Sequence, residues 1–317
     1  MKKLGFFALP LIAAGLALAA PAKAADYPSK PVRLIIPYAP GGGSDSIMRP
    51  TAMYLEKYLG EKIPVVNVAG AGGSIGWTQA SKARPDGYTI TQLTNAMMVK
   101  EATKSANVGV NDFVPVANIG FVALTVTAKG DGPYKSLQDY FKAALEHPGQ
   151  VGLAMGVGTP AQFVAKQVEN ALGADLKLVN AGGGAQKKAA VLGGHVDALI
   201  EPVSGVAAQH ASGQLRILAV LSDKRLSFLP DVPTAKEQGF DITAGLFYGF
   251  GAPKGTPQAV VDKISDAVKD LGGDTEFRQQ MAKIKFDWNY LPAKEFADLI
   301  AKEHASTMQL GKELGFQ

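Results

Sequence analysis

Four glycine-rich stretches hold the residues whose type and spacing could do chemistry. Pro40-Gly41-Gly42-Gly43-Ser44-Asp45 and Gly70-Ala71-Gly72-Gly73-Ser74-Ile75-Gly76 lie early in the chain, and Gly156-Val157-Gly158-Thr159-Pro160 and Ala181-Gly182-Gly183-Gly184 lie in its middle. Each follows a short apolar run and precedes a helical pattern. Glycine lets backbone come close to a ligand, and a helix start offers unbonded N–H groups with a partial positive charge. The chemistry this supports is anion binding. Gly42, Gly43, Ser44 and Asp45 beside Gly72, Gly73 and Ser74 form a cradle with no lysine or arginine in either loop. The hydroxyls of Ser44, Ser74 and Thr159 would add donors in a desolvated cleft.

Other chemistries fit less well. Gly72-Gly73-Ser74-Ile75-Gly76 matches the G-x-S-x-G elbow of serine hydrolases, but Ala69, Gly70 and Ala71 separate it from its strand, where a true elbow follows directly. His147, His195, His210 and His304 are the only histidines, and none falls where a strand-end loop would bring a base to Ser74. An exported hydrolase using Ser74 is kept as the second function, with Ser74 as a plain hydrogen-bond donor the simpler reading. Gly156 to Ala161 matches a loose dinucleotide pattern, but no phosphate-loop motif, thiolate or histidine spacing accompanies it. No cofactor or metal is implied.

Single residues carry alternatives. Asp45 reads either as a cap on the first helix or as a clamp holding the loop or ordered water for a ligand. Asn95 ends a strand at the same edge as the glycine loops. Glu201, also at a strand end, either meets a cationic part of a ligand or is a solvated glutamate. Phe247-Tyr248 sits beside glycines where the chain crosses between halves and reads as pocket wall. Met97 and Met98 read as core, and the basic pair Lys187-Lys188 as surface.

The elements that must position these residues are β-loop-α units. Val32 to Tyr38 is a buried strand, followed by a helix from about Ser46 to Leu59; Pro64 to Val68 and a helix from Trp77 to Ala83 repeat the pattern. Tyr88 to Leu93 is a strand after the turn at Arg84-Pro85-Asp86-Gly87, whereas Ala96 to Val110 has no clear period. Phe113 to Ile119 and Phe121 to Thr127 read as two strands, the second long enough to cross between halves. Ser136 to Leu145, Ala161 to Leu172 and Ala185 to Leu192 are helices with recognisable starts or stops at Ser136, Pro160 and Gly193-Gly194. A short helix is expected over Pro233 to Gln238 and a long one from Ala293 to Leu314. The helical tail has no sheet of its own, so it packs on the first half, and two crossings between halves imply a hinge. The expected units are a signal segment at 1–24, a discontinuous domain 1 at 25–123 plus 240–317, and domain 2 at 124–239.

Composition sets the outer limits. The 317 residues contain no cysteine, 36 glycines and 19 prolines, with 47% hydrophobic residues, which describes a globular α/β chain without a disulfide framework. Lys2 and Lys3 precede an apolar run from Leu4 to Ala20, and Ala22-Lys23-Ala24 supplies the small-x-small cut site of a secretory signal peptide. Removing residues 1–24 takes away Lys2, Lys3 and Lys23, so 32 basic residues become 29 against 28 acidic ones, a net charge of +1. Only Lys187-Lys188 and Lys224-Arg225 are adjacent basic pairs after that segment, so no basic stripe for nucleic acid is read.

Taken together these stretches resemble the solute-binding receptors of tripartite tricarboxylate transporters, the Bug family. Arg84 to Thr89, Leu192-Gly193-Gly194-His195-Val196-Asp197, Leu229 to Thr234 and Ala252 to Pro257 add to the first two glycine loops, and the resemblance spans essentially the whole chain after the leader. It implies an α/β, two-domain periplasmic binding protein fold (type II-like), with a hinge between domains and the ligand cleft at their interface. It further implies a receptor that delivers a small carboxylate to a two-subunit membrane permease; a dicarboxylate and a monomer are this reading's own expectations. A sensor feeding a membrane kinase would use the same fold. By the same resemblance one carboxylate is held by Gly42 to Asp45 and by the facing turn from Gly158 to Gln162, partly through water. The sequence departs from the family pattern at Gln162, where histidine is common, at Asn180-Ala181-Gly182, where Pro-Tyr-Lys is common, and near Phe247, where tryptophan is usual.

Overall fold

Residues 27–182 and 184–316 are described by the computed structural model, so the expected signal segment at 1–24 and Gly183 lie outside the described residues. Strand β1 (Arg33–Ile36), helix α1 (Gly43–Leu59), β2 (Val65–Asn67), α2 (Ser74–Ser81), β3 (Thr89–Leu93) and α3 (Ala96–Ala102) follow as three β-loop-α units. β1 lies between β2 and β3 and is parallel to both, so all three loops open at one edge of the sheet. α1 stops at Gly60, whose φ of 87° only glycine adopts cheaply, with its N–H bonded to the Glu56 carbonyl. α3 has no readable period because both its faces are covered: Met97 and Met98 pack with Trp77 and Phe296, while Val99 and Ala102 pack with Phe163 and Leu310.

The two strands expected after residue 113 are one strand, β4 (Phe113–Lys129). Then come α4 (Leu137–Glu146), β5 (Gly152–Met155), α5 (Pro160–Leu172), β6 (Lys177–Asn180), α6 (Gly184–Leu192), β7 (Ala198–Pro202), α7 (Val203–Ala211) and β8 (Leu215–Val220). Ser136 caps α4 by accepting from the Asp139 N–H at 3.0 Å while Asp139 reaches back to the Ser136 N–H at 3.0 Å, a capping box. The helix expected at Pro233 to Gln238 is reduced to one 3-10 turn, Lys236–Gln238. Its backbone is committed elsewhere: Val220 N–H bonds the Pro233 carbonyl and Ala235 N–H bonds that of Val220.

The chain returns through β9 (Gly245–Pro253), α8 (Gln258–Leu271), α9 (Thr275–Lys283), β10 (Asp287–Pro292) and α10 (Ala293–Glu313). Strand order is β2-β1-β3-β9-β4-β7-β5-β6, with β10 and β8 also paired to β4. The first stretch of β4 pairs with β9 and β10, and its last residues, Leu124 onward, pair with β7 and β8. One strand is therefore common to two α/β lobes. The crossings lie side by side, since Leu124 N–H bonds the Ala244 carbonyl and Ala244 N–H that of Leu221. As expected, α10 lies on the first lobe, with Phe296 fully buried and Ile300 nearly so. Burying such an aromatic ring is worth about 2–3 kcal/mol, enough to hold a tail that has no sheet of its own.

Candidate functional site

The first turn, from Ala39 to Asp45, is built around Asp45. Its carboxylate accepts from the Gly41 N–H at 3.0 Å, from the Arg49 guanidinium at 2.6 and 3.2 Å, and from the Asn67 amide at 2.9 Å. Asn67, at the end of β2, also donates to the Tyr38 carbonyl at 3.0 Å. The Arg49 guanidinium, then the Gly41 N–H and the Asn67 amide, hold the Asp45 carboxyl at about 2 against the opposing effect of burial. The capping role of Asp45 is thus corrected: the cap position is Gly42, no side chain bonds it, and Asp45 clamps the loop instead. Among the described residues the N–H groups of Gly43, Ser44 and Asp45 are left without a partner. Three adjacent donors with no internal bond at a helix start are what an anion needs.

The second turn runs beside the first. A Cβ on Gly76 would lie 2.7 Å from Pro37 Cα, so α2 rests directly on the end of β1. Gly72 and Gly73 take φ values of 66° and 104°, and α2 also starts without a side-chain cap. Gln92, at the end of β3, joins the two turns. Its amide donates to Ser44 Oγ at 3.0 Å, and its main-chain carbonyl accepts from Trp77 Nε1 at 2.8 Å. Gln92 Oε1 and Ser74 Oγ are both buried without a hydrogen-bond partner. Neither Gln92 nor Lys100, whose stem lies over Gly72, was singled out in the sequence. The signal in the sequence is one amide side chain in a strand that is otherwise Thr, Ile and Leu, and the structure buries it fully.

In the second lobe, the Gly158 N–H is held by Gln162 Oε1 at 2.8 Å. Gln162 is nearly buried, and Pro160 occupies the first helical position of α5. The Thr159 hydroxyl donates back to the Gly156 carbonyl at 2.6 Å, so it does not offer the free donor expected of it. Asn95 sits at the expected edge, but its amide is spent on the Gly245 carbonyl at 2.6 Å, where the chain returns to the first lobe. Glu201 requires a correction. It forms a 2.5 Å ion pair with Lys187, whose ammonium also bonds the Ile200 carbonyl at 2.7 Å. Lys187 is a buried partner rather than a surface lysine, and Glu201 has no charge left for a ligand.

A cavity of about 340 Å³ opens between the lobes, lined by Gly43, Ser46 and Ile47 of α1, Pro202 and Ser204 of the β7–α7 turn, and Tyr248, among others. Among the described loop residues expected at the site, only Gly43 lines it. Phe247 does not: it is 2% exposed and stacks edge-on to Phe296 at 5.4 Å. Successive strand residues face opposite ways, so Tyr248 lines the cavity while Phe247 joins the core. Burial pushes Tyr248 up to about 12, against a smaller pull from the Ser44 hydroxyl, and it stays a neutral hydroxyl at physiological pH.

The site can bind an anion through oriented N–H groups and hydroxyls, and it has no catalytic pairing. Ser74 Oγ touches no base, and among the described residues no group of three or more His, Cys, Asp or Glu could hold a metal. Nor, among them, is any helix long and apolar enough to cross a membrane.

Two α/β lobes on a shared strand, with a cavity between them that the start of α1 lines, define a solute-binding protein of the two-domain, type II-like class. A crystal structure of a TctC solute-binding protein from Polaromonas, without ligand, matches with a TM-score of 0.81 at 29% identity, over 90% of this chain and 99% of that one. Protein BugT of Bordetella pertussis is 32% identical over 250 residues, 77% of each chain. The protein of the gbd 5' region of Cupriavidus necator is 30% identical over 301 residues, 93% of this chain and 92% of its own. A family model described as tripartite tricarboxylate transporter family receptor matches residues 47–316. The chain belongs to that family, the Bug receptors. Its family and structural neighbours are solute-binding receptors and not enzymes, so the hydrolase alternative for Ser74 falls.

Proposed function

We propose that this chain is a periplasmic receptor that captures a small carboxylate, a dicarboxylate above all, and passes it as a monomer to the two-subunit permease of a tripartite transporter. The observation that carries this reading is that α1, α2 and α5 each follow a glycine loop at a strand end and begin with no side-chain cap. In α1 and α5 the residue able to cap, Asp45 or Gln162, is turned onto the preceding loop. The unbonded N–H groups of Gly43, Ser44 and Asp45 at the start of α1 offer an anion charge-assisted bonds without a bound cation. The lobes correspond to residues 25–123 plus 240–317 and 124–239. Closure is a rotation about Ala123–Leu124 and Ala244–Gly245, where the two crossings are hydrogen-bonded to each other.

The test is thermal unfolding against a panel of carboxylates, amino acids and sugars. A ligand at about a hundred times its dissociation constant adds about 2.7 kcal/mol and moves the midpoint visibly. A shift with carboxylates alone supports the reading; a shift only with sugars or other uncharged compounds overturns it.

A further inference from the structure

Lys100 lies on α3 with the end of its side chain over the second glycine turn. A Cβ built on Gly72 would come 2.6 Å from Lys100 Cε and 3.0 Å from Nζ, so only a residue without a side chain lets the lysine lie there. Its ammonium has no carboxylate or hydrogen-bond partner among the described residues. The turn it covers opens α2, the positive end of a helix with no side-chain cap. A cation next to a helix N-terminus is unfavourable unless an anion joins them. Ser74, the first residue of that helix, is 8% exposed, and its Oγ has no partner. A buried hydroxyl left unbonded is likewise costly, so cation, helix start and hydroxyl all lack the same thing, a negatively charged acceptor.

The position is at the seam of the lobes. Val99 and Ala102, on either side of Lys100, pack with Phe163, the residue after Gln162. The turn under Lys100 rests on the end of β1, next to the Gly42 to Asp45 turn. The Lys100-covered turn and the Gly42 to Asp45 turn therefore lie side by side on the first lobe.

We propose that Lys100, with Gly72 and Ser74, receives a second anionic group of the ligand and makes the receptor selective for dianions over monocarboxylates. This rests on the carboxylate-receptor reading above and names the ligand class within it. The selectivity comes from a charge that neither glycine loop carries itself.

Calorimetric titration of the wild type, Lys100→Met and Lys100→Arg with dicarboxylates of three to six carbons and monocarboxylates of equal length tests it, succinate against butyrate being one pair. The wild type should prefer the dianion at least about tenfold, and Lys100→Met should lose about 10- to 100-fold on the dianion with under about twofold change on the monocarboxylate. Lys100→Arg keeps the charge and should keep most of the preference, and an unchanged unfolding midpoint for both variants shows that they fold. Equal wild-type affinity for both ligands, or equal weakening of both by Lys100→Met, overturns the role of Lys100 and leaves the receptor reading intact. Absence of any carboxylate binding by the wild type overturns both.

Discussion

Asp45 and Gln162 occupy matching places in two turns of opposite lobes. Each stands four residues after a glycine of positive φ, Gly41 at 74° and Gly158 at 66°, and each accepts that glycine's N–H, at 3.0 and 2.8 Å. In both turns a side-chain oxygen closes the loop that precedes the helix, and the helix start stays uncapped for a ligand. The two differ in charge: Asp45 is neutralised by Arg49, whereas Gln162 is neutral by itself.

Replacing Gln162 separates loop order from stability. Gln162→Ala should release Gly158 and weaken carboxylate binding by about tenfold, the worth of one buried hydrogen bond, while the unfolding midpoint falls little. Gln162→Glu keeps the acceptor but brings a negative charge to an anion site, and should weaken binding further. Calorimetry of the two variants gives the order; a tighter Gln162→Glu would contradict an anionic ligand.

Asp45 predicts a pH dependence. Its folded-state value of about 2 lies below the ordinary carboxylate value of 3.8, so the folded chain binds this proton less readily than the unfolded one. The stabilisation is complete above the unfolded value and is lost as pH falls through 2. Since the Arg49 side chain is 46% exposed, solvent screening leaves about 1 kcal/mol to be read between pH 5 and pH 2. Asp45→Asn should flatten that part of the unfolding curve without abolishing it, because Asp274 is also held at about 2, by the Phe277 N–H and the Tyr58 hydroxyl.

The Lys187–Glu201 pair is a structural bond inside the second lobe. Removing one member should destabilise by about 3 kcal/mol, since the other charge stays buried and unpaired. Urea unfolding of Lys187→Met, Glu201→Gln and the double variant checks this. The double variant should recover part of the loss, and additive losses would show that the two do not interact.

Asn95→Ala removes the bond that ties the end of β3 to Gly245 at the return crossing. The expected cost is about 1 kcal/mol of stability, with faster ligand release because the crossing is freer to bend. Stopped-flow release rates equal to wild type would show that Asn95 has no part in closure.

Much of this was legible in the sequence because it is local. The glycine loops, the capping box at Ser136, Pro160 at the start of α5 and the amphipathic face of α10 each depend on neighbours within a few residues. What failed to show depends on distant partners. Glu201 was ambiguous because Lys187 reaches it only once α6 packs on β7, and Phe247 and Tyr248 could not be assigned to faces before β9 had a register against β4. Gln92 looked like one more strand residue until Ser44 and Trp77 were seen to converge on it.

The antiparallel pairing of β3 with β9 also sets an order of assembly. Thr91 finds its partner Gly251 only 160 residues later, 251 less 91, so during synthesis one edge of the first sheet has no neighbour while the whole inserted lobe is made. The inserted lobe can close its β7-β5-β6 sheet early; the lobe that begins the chain is the last to finish. A nascent chain therefore carries an open β-edge, a site for mispairing with another copy, until its final quarter arrives. Truncation before Gly245 would strand that edge permanently, and the product should aggregate rather than persist as a shortened receptor.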